Sequence, residues 1–208
     1  MFVKRFVNSI FNSNSYIIYS EETETWVIDP GDSKQILDWL NNNNKILKGI
    51  LITHSHFDHI YGINDLQEKF PDAKMHASFY AKEGMMSDKL NGSLYHEKPY
   101  VIEQQEVYII KDGDRIKLWK DVFLDSIETP GHNRDCMSFH VQNNLFTGDA
   151  LIPGIKVVTK IKYGDKIQAA NSIKRIFELF NDETLIWPGH KDNCLLGTLR
   201  YGNLNIQL

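Results

Sequence analysis

Gly49-Ile50-Leu51-Ile52-Thr53, followed at once by His54-Ser55-His56-Phe57-Asp58-His59, is the stretch that decides the fold. An apolar run of that length with polar residues after it reads as a buried strand. The next six residues put three imidazoles and a carboxylate at its end. Imidazole nitrogen and carboxylate oxygen are ligands that Zn²⁺, Fe²⁺ and Mn²⁺ accept. Alternate residues of an extended backbone share a face, so His54 and His56 point to one side. Asp58 and His59, in the turn that follows, then face a second ion, and the spacing suggests two neighbouring metals.

Working outward, residues 3–19 carry β-branched and aromatic residues broken by Asn12-Ser13-Asn14-Ser15, which predicts two strands and a turn. Residues 25–28 predict a third strand, stopped by Asp29-Pro30-Gly31. Ile36, Leu37 and Leu40 fall at helical spacing over 33–40, with Asp32 or Ser33 placed to cap the helix and the Asn run 41–44 to end it. A second helix is expected over 60–70, with Ile63, Leu66 and Phe70 on one face and Pro71 as its stop. Residues 85–99 read as a long loop. Strands are expected at 107–110, 115–119 and 122–128, with the turn Lys111-Asp112-Gly113-Asp114 between the first two. Residues 137–147 read as a hairpin, 167–180 as the clearest helix and 184–187 as a last short strand. This order predicts an α/β protein, two sheets packed together with helices outside, in a single domain over 1–208.

Three further candidate ligands each follow a predicted strand and a glycine: Thr129-Pro130-Gly131-His132, Thr147-Gly148-Asp149 and Pro188-Gly189-His190. Functional residues commonly sit on loops at strand ends, and glycine permits backbone conformations that a side chain forbids. Taken alone, His132 or His190 reads equally as a structural histidine, and Asp149 as a helix cap or turn residue. Together they complete two ligand sets. His54, His56 and His132 give one ion three nitrogens; Asp58, His59 and His190 give a second ion one oxygen and two nitrogens; Asp149 bridges, having two oxygens to offer. Each ion keeps an open position, as catalytic sites do. Asp29 reads either as a turn residue or as an acceptor for the second N–H of a ligand imidazole. Lys156, Lys160 and Lys162 read either as a solvated basic face or as contacts to an anionic substrate. Of the remaining histidines, His140 is read within a strand, His76 just after one, and His96 in the long loop, within reach of substrate.

Composition narrows the function classes. With 208 residues, 42% hydrophobic and 24% charged, the chain has the make-up of an ordinary globular protein with one sizeable core. A net charge of −4 argues against a nucleic-acid partner. No apolar run approaches the roughly 18 residues of a membrane span. Met1-Phe2-Val3-Lys4-Arg5-Phe6 lacks the apolar core of a signal peptide, and Cys136 and Cys194 make no disulfide framework, so a cytoplasmic protein is expected. The two cysteines read as packing residues.

The motifs His54 to His59, Thr129 to His132, Thr147 to Asp149 and Pro188 to His190 resemble those of the metallo-β-lactamase fold superfamily, and within it the glyoxalase II-like hydrolases. Val27-Ile28-Asp29-Pro30-Gly31 is similar to that family's early strand and turn. The resemblance implies a four-layer αββα sandwich with the site at one edge. It departs from glyoxalase II in three places. Asn133-Arg134-Asp135-Cys136 stands where Thr-x-Gly-Ser or Thr-x-Gly-Cys is usual, Leu151 to Lys156 replaces a Gly-rich, Arg-containing loop, and only 18 residues follow His190. No separate C-terminal substrate domain is therefore expected. The expected activity is dinuclear hydrolysis of an ester-like bond, a thioester or lactone of a small molecule, by a metal-bridging hydroxide. Asp58 is expected to orient that hydroxide and accept its proton. Zn is the expected metal, with Fe or Mn as alternatives. The rival readings are a mononuclear iron persulfide dioxygenase, which relatives build on the equivalents of His54, His132 and Asp149, and a non-catalytic metal-binding regulator.

Overall fold

In the computed structural model, which describes residues 1–103 and 106–201, the chain divides into two units, Met1–Ile109 and Ile110–Leu208. The first holds β1 (Phe2–Val7), β2 (Asn14–Tyr19), β3 (Glu24–Ile28), α1 (Lys34–Asn42), β4 (Ile46–Leu51), α2 (Ile63–Lys69), β5 (Lys74–Ala77), α3 (Phe79–Met85), α4 (Asp88–Asn91) and β6 (Val107–Ile109). Its strands form one sheet in the order β1-β2-β3-β4-β5-β6. β1, β2 and β3 are antiparallel neighbours, while β3 through β6 run parallel. A central parallel strand is covered on both faces, which explains why Ile50, Leu51 and the following Ile52 form an unbroken apolar run and are all fully buried. Ile36 and Leu40 of α1, Ile63 and Leu66 of α2, and Ala81 and Met85 of α3 join the strand residues Ile17, Val27, Ile50 and Met75 in a single core.

The second unit holds β7 (Arg115–Trp119), β8 (Val122–Glu128), β9 (Met137–Val141), β10 (Asn144–Gly148), α5 (Lys166–Leu179), β11 (Leu185–Pro188), β12 (Cys194–Leu195) and α6 (Leu196–Tyr201). Its sheet runs β12-β11-β10-β9-β8-β7, antiparallel throughout except for the parallel pair β10–β11. Ile173 and Ile176 of α5 pack with Ile127, Leu145 and Ile186 from the strands. Asp165 caps α5, its carboxylate accepting from the backbone N–H of Ile167 and Gln168.

Several elements differ from the sequence expectation. The helix expected from residue 60 starts at Ile63, because Phe57–His59 forms a 3₁₀ turn first and Gly62 N–H is spent on Pro30 O. Ser33 stands at the N-cap of α1 without a capping bond, and Asp32 accepts instead from Ser9 N (2.6 Å) and Ser9 Oγ (3.0 Å). Residues 85–99 are not a bare loop but contain α4 and a 3₁₀ turn at Ser93–Tyr95. His76 lies within β5 rather than after a strand. The turn Lys111 to Asp114 closes no hairpin, since β6 pairs with β5 in the first sheet and β7 with β8 in the second. Among the described residues no helix is long and apolar enough to cross a membrane.

Candidate metal centre

In the first unit the candidate ligands lie at the carboxyl ends of the parallel strands β3 and β4, the end at which α/β sheets place their ligands. Beyond β4, Ile52 N–H bonds to His76 O and Thr53 N–H to Asp29 Oδ1 (2.7 Å), so the backbone is still held as it enters the motif. The His54 ring centroid lies 4.7 Å from that of His56 and 4.3 Å from that of His59. His54 and His59 are fully buried, Asp58 nearly so, and His56 is half-buried.

The hydrogen bonds fix which nitrogen of His54 is available. Thr53 Oγ1 has one proton and gives it to Asp29 Oδ2 at 2.6 Å. Its 3.0 Å contact with His54 Nδ1 is therefore one in which the imidazole donates, which leaves the lone pair on Nε2. His59 lies between two carboxylates, with Nδ1 3.3 Å from Asp29 Oδ2 and Nε2 3.4 Å from Asp58 Oδ2. Asp29, held at φ +49°, thus stands behind His54 through the Thr53 hydroxyl and lies beside His59. Its carbonyl accepts from Gly31 N–H at 2.8 Å, as the turn reading expects, while its carboxylate accepts from Thr53. Asp29, His54 and His59 each offer a ligand atom within 4.8 Å of one another. Asp29 is nevertheless the carboxylate behind the ligands, because both of its oxygens are engaged by Thr53.

In the second unit His132, Asp149 and His190 follow β8, β10 and β11, three strands that run in the same direction, so their carboxyl ends share one edge of the sheet. Gly131 takes φ +139° and Gly148 φ +49°, as expected of glycines placed to turn a ligand inward. Gly189 needs no such freedom, since its φ is not positive. A Cβ on Gly131 would lie 2.3 Å from the backbone of Ala169 on α5, so the Pro-Gly-His loop sits directly against that helix. His132 Nδ1 donates to Val158 O at 2.8 Å, which leaves Nε2 facing Asp149 Oδ2 at 3.6 Å. His190 Nε2 faces the same oxygen at 3.5 Å. No helix begins at Asp149, so the capping alternative falls away.

These nitrogen-to-oxygen separations test the donor set for metal. Hydrogen bonds of this type span about 2.7–3.2 Å, so 3.4–3.6 Å is too long for one. Two ligand atoms each about 2.1 Å from a tetrahedral ion lie roughly 3.4 Å apart. The imidazole and carboxylate atoms are spaced as neighbouring corners of a coordination shell, and the donor set fits divalent metal. Asp149 presents one oxygen, Oδ2, to both histidines, rather than one oxygen to each. Sequence reasoning missed Thr53 and the Val158 carbonyl. A threonine before a histidine carries no motif, and a backbone carbonyl has no sequence signal at all.

The other histidines fall outside these clusters. His140 lies in β9, 3.9 Å from Asp125, and His76 stacks on Tyr108. His96 packs its ring 5.0 Å from that of Phe57, the residue between His56 and Asp58.

Comparison with known proteins gives a consistent picture. Residues 9–190 match the Metallo-beta-lactamase superfamily. A protein named hydroxyacylglutathione hydrolase from Aeromonas salmonicida (strain A449) is 31% identical over 191 residues, which cover 92% of this chain and 65% of that protein. The chain spans 64% and 65% of the length of two such curated relatives. The crystal structure of BLEG-1 B3 metallo-beta-lactamase matches with a TM-score of 0.91 at 22% identity, covering 100% of both chains. That of TTHA1623 in a di-iron-bound form matches with a TM-score of 0.83 at 23% identity, over 95% of this chain and 97% of the other. These two likenesses are of fold, and they agree with two mixed six-stranded sheets and their helices.

Proposed function

The chain belongs to the metallo-β-lactamase superfamily, and we propose that within it the protein is a dinuclear metal-dependent hydrolase acting on an ester-like bond, a thioester or lactone of a small molecule. In this reading His54, His56 and His132 would hold one divalent ion, Asp58, His59 and His190 would hold the other, and Asp149 would serve both. Zn is the metal proposed, with Fe or Mn as alternatives. The observation that carries the reading is Asp149 Oδ2, which faces Nε2 of both His132 and His190 at the spacing of ligands around an ion.

Bound divalent ions supply Lewis acidity to a carbonyl and acidify a water towards neutral pH. The protein's own groups do the rest. Thr53 and the Val158 carbonyl hold His54 and His132 in the tautomer that leaves Nε2 unprotonated. Asp58, buried beside His59, would in this reading orient the attacking water and take its proton. Burial of the ligands keeps the local dielectric low and strengthens stabilisation of the negative charge that develops on the substrate oxygen. The names of the relatives support a thioester as the first substrate to try. The sequence after His132 and Asp149 departs from the glyoxalase II pattern, so the proposal stops at the ester-like bond and does not extend to a glutathione moiety.

Purified protein is expected to carry close to two equivalents of divalent metal per chain. It should turn over at least one member of a panel of thioesters, lactones and aryl esters, and a chelator should abolish that turnover. Asp149→Asn should lose metal and lower the rate by about 10³-fold together. One iron per chain with O₂ consumption on a persulfide would replace this reading with a dioxygenase. Metal binding without turnover on any member of the panel would leave a binding role.

A further inference from the structure

Between β10 and the first turn of α5, Lys156, Lys160, Lys162 and Lys166 stand against a single acid, Asp165. Residues 151–168 therefore carry a net charge of +3, in a chain whose net charge is −4. All four lysines are exposed, and among the described residues none of them is in an ion pair. Asp165 is engaged as the cap of α5, and Lys166 follows it in a turn where the helix dipole disfavours a cation. Large apolar side chains stand in water among these charges: Val158 is 53% exposed, Ile161 37%, Tyr163 42% and Ile167 74%. The backbone gathers them on a closed turn. Gly164 N–H donates to Ile161 O at 3.0 Å, and a Cβ on Gly164 would lie 2.3 Å from Thr159 O, so residues 160–163 form the tip. That tip reads Lys-Ile-Lys-Tyr, with all four side chains exposed. Tyr163 takes φ +64°, a left-handed backbone that is costly for a bulky residue. Its ring carries the Arg134 guanidinium at 4.0 Å and the Lys162 ammonium at 4.9 Å. At the base of the turn, the Val158 carbonyl accepts from His132 Nδ1.

We propose that residues 156–167 are a membrane-docking surface, whose lysines meet the headgroups of anionic lipids while Ile161, Tyr163 and Ile167 enter between them. This goes beyond the hydrolase reading and does not depend on it. Lysine clusters are drawn to an anionic leaflet, and apolar side chains among them add burial to that attraction. A ring with a polar tip, such as Tyr163, suits the level of the headgroups. A nucleic acid would satisfy the lysines but leave Ile161 and Ile167 in water. A small soluble anion would neutralise only part of the charge and cover none of the apolar surface. A lipid surface satisfies both. Docking there would bring the lipid within one hydrogen bond of the segment that holds His132.

The test sediments the full chain with vesicles of phosphatidylcholine, either alone or with about one third phosphatidylglycerol. Binding is expected only with the anionic lipid, and it should fall about tenfold between roughly 0.1 M and 0.5 M salt. Each lysine near the surface is worth about fivefold, so Lys160→Gln/Lys162→Gln should weaken binding by about 30-fold. Ile167→Ser should weaken it by about tenfold, and by the same factor at both salt concentrations, because apolar burial is not screened. Lys69→Gln/Lys89→Gln makes the same charge change on exposed lysines elsewhere and should leave binding within about twofold of wild type. The replaced side chains are exposed, so each variant should keep the wild-type Tm. The lipid and salt dependence of the wild type tests the surface even where a variant fails to fold.

A wild type that ignores the anionic vesicles, or binds both kinds equally, overturns the docking surface. So does a loss in Lys69→Gln/Lys89→Gln as large as that in Lys160→Gln/Lys162→Gln, which would make the attraction one of overall charge. Release from the vesicles by millimolar inorganic phosphate would assign the lysines to a small anion, and equally tight binding to a DNA duplex would assign them to nucleic acid. Either result overturns the lipid. None of these outcomes touches the hydrolase reading, which metal content and ester turnover test separately.

Discussion

The hydroxyl of Thr53 is spent twice, donating to Asp29 Oδ2 and accepting from His54 Nδ1, and both contacts are buried. Thr53→Val keeps the shape and removes both bonds. His54 would then be free to turn or change tautomer, and Asp29 Oδ2 would lose its closest donor. Groups standing behind metal ligands typically contribute 10–100-fold to metal affinity. A loss of about that size is expected in competition with a chromophoric chelator, with the fold retained by circular dichroism. Affinity within twofold of wild type would remove Thr53 from any positioning role. At this scale the sequence nominated the candidate ligands, because the spacing of His54, His56, Asp58 and His59 and the repeated glycine-then-ligand pattern have few other physical explanations. It was much less informative about the supporting groups. A turn aspartate and an acceptor aspartate look alike until Thr53 and His59 are seen around it.

At the level of elements, the loop that carries His132 is held by the start of α5. Asp165 N–H donates to Gly131 O at 2.8 Å, Ser172 Oγ donates to Pro130 O at 2.6 Å, and Gly131 leaves no room for a side chain against Ala169. The same Asp165 caps the helix through its carboxylate. Asp165→Ala should cost about 1 kcal/mol, a fall in Tm of about 2–4 °C for a chain of this size. Scanning calorimetry measures it, and an unchanged Tm would mean the cap is not made in solution. The sequence outlined α5 well, because Ala170, Ile173 and Ile176 repeat at helical spacing; Ile173 and Ile176 are buried, as is Ala169 beside Ala170. It left out β5 and α3, since four strand residues and a seven-residue helix are too short for either periodicity to emerge.

For the whole molecule, half-buried His76 gives acid sensitivity a specific source. Its ring stacks on Tyr108 and lies 5.6 Å from Trp26, its Nε2 has no hydrogen-bond partner, and Lys74 stands nearby. Burial first, and then the Lys74 charge, push its pKa down from 6.5 to about 4. The native state refuses a proton that the unfolded chain accepts, so this contribution to stability is fully present above about pH 6.5 and is lost as pH falls towards about 4. Denaturant titrations of metal-free protein across that window should show stability falling with acid, and less steeply in His76→Gln. Equal slopes would remove His76 as the cause. The sequence by itself determined the α/β class and most of the strand-and-helix order, and it nominated seven candidate ligand residues, because hydrophobic periodicity and ligand chemistry are local properties that spacing records. Only the tertiary structure decided that 111–114 links two sheets instead of closing a hairpin, that one oxygen of Asp149 serves two histidines, and that Arg134 stacks on Tyr163. Those outcomes depend on which distant segments meet, and pairing across dozens of residues is set by packing and register that no window of sequence contains.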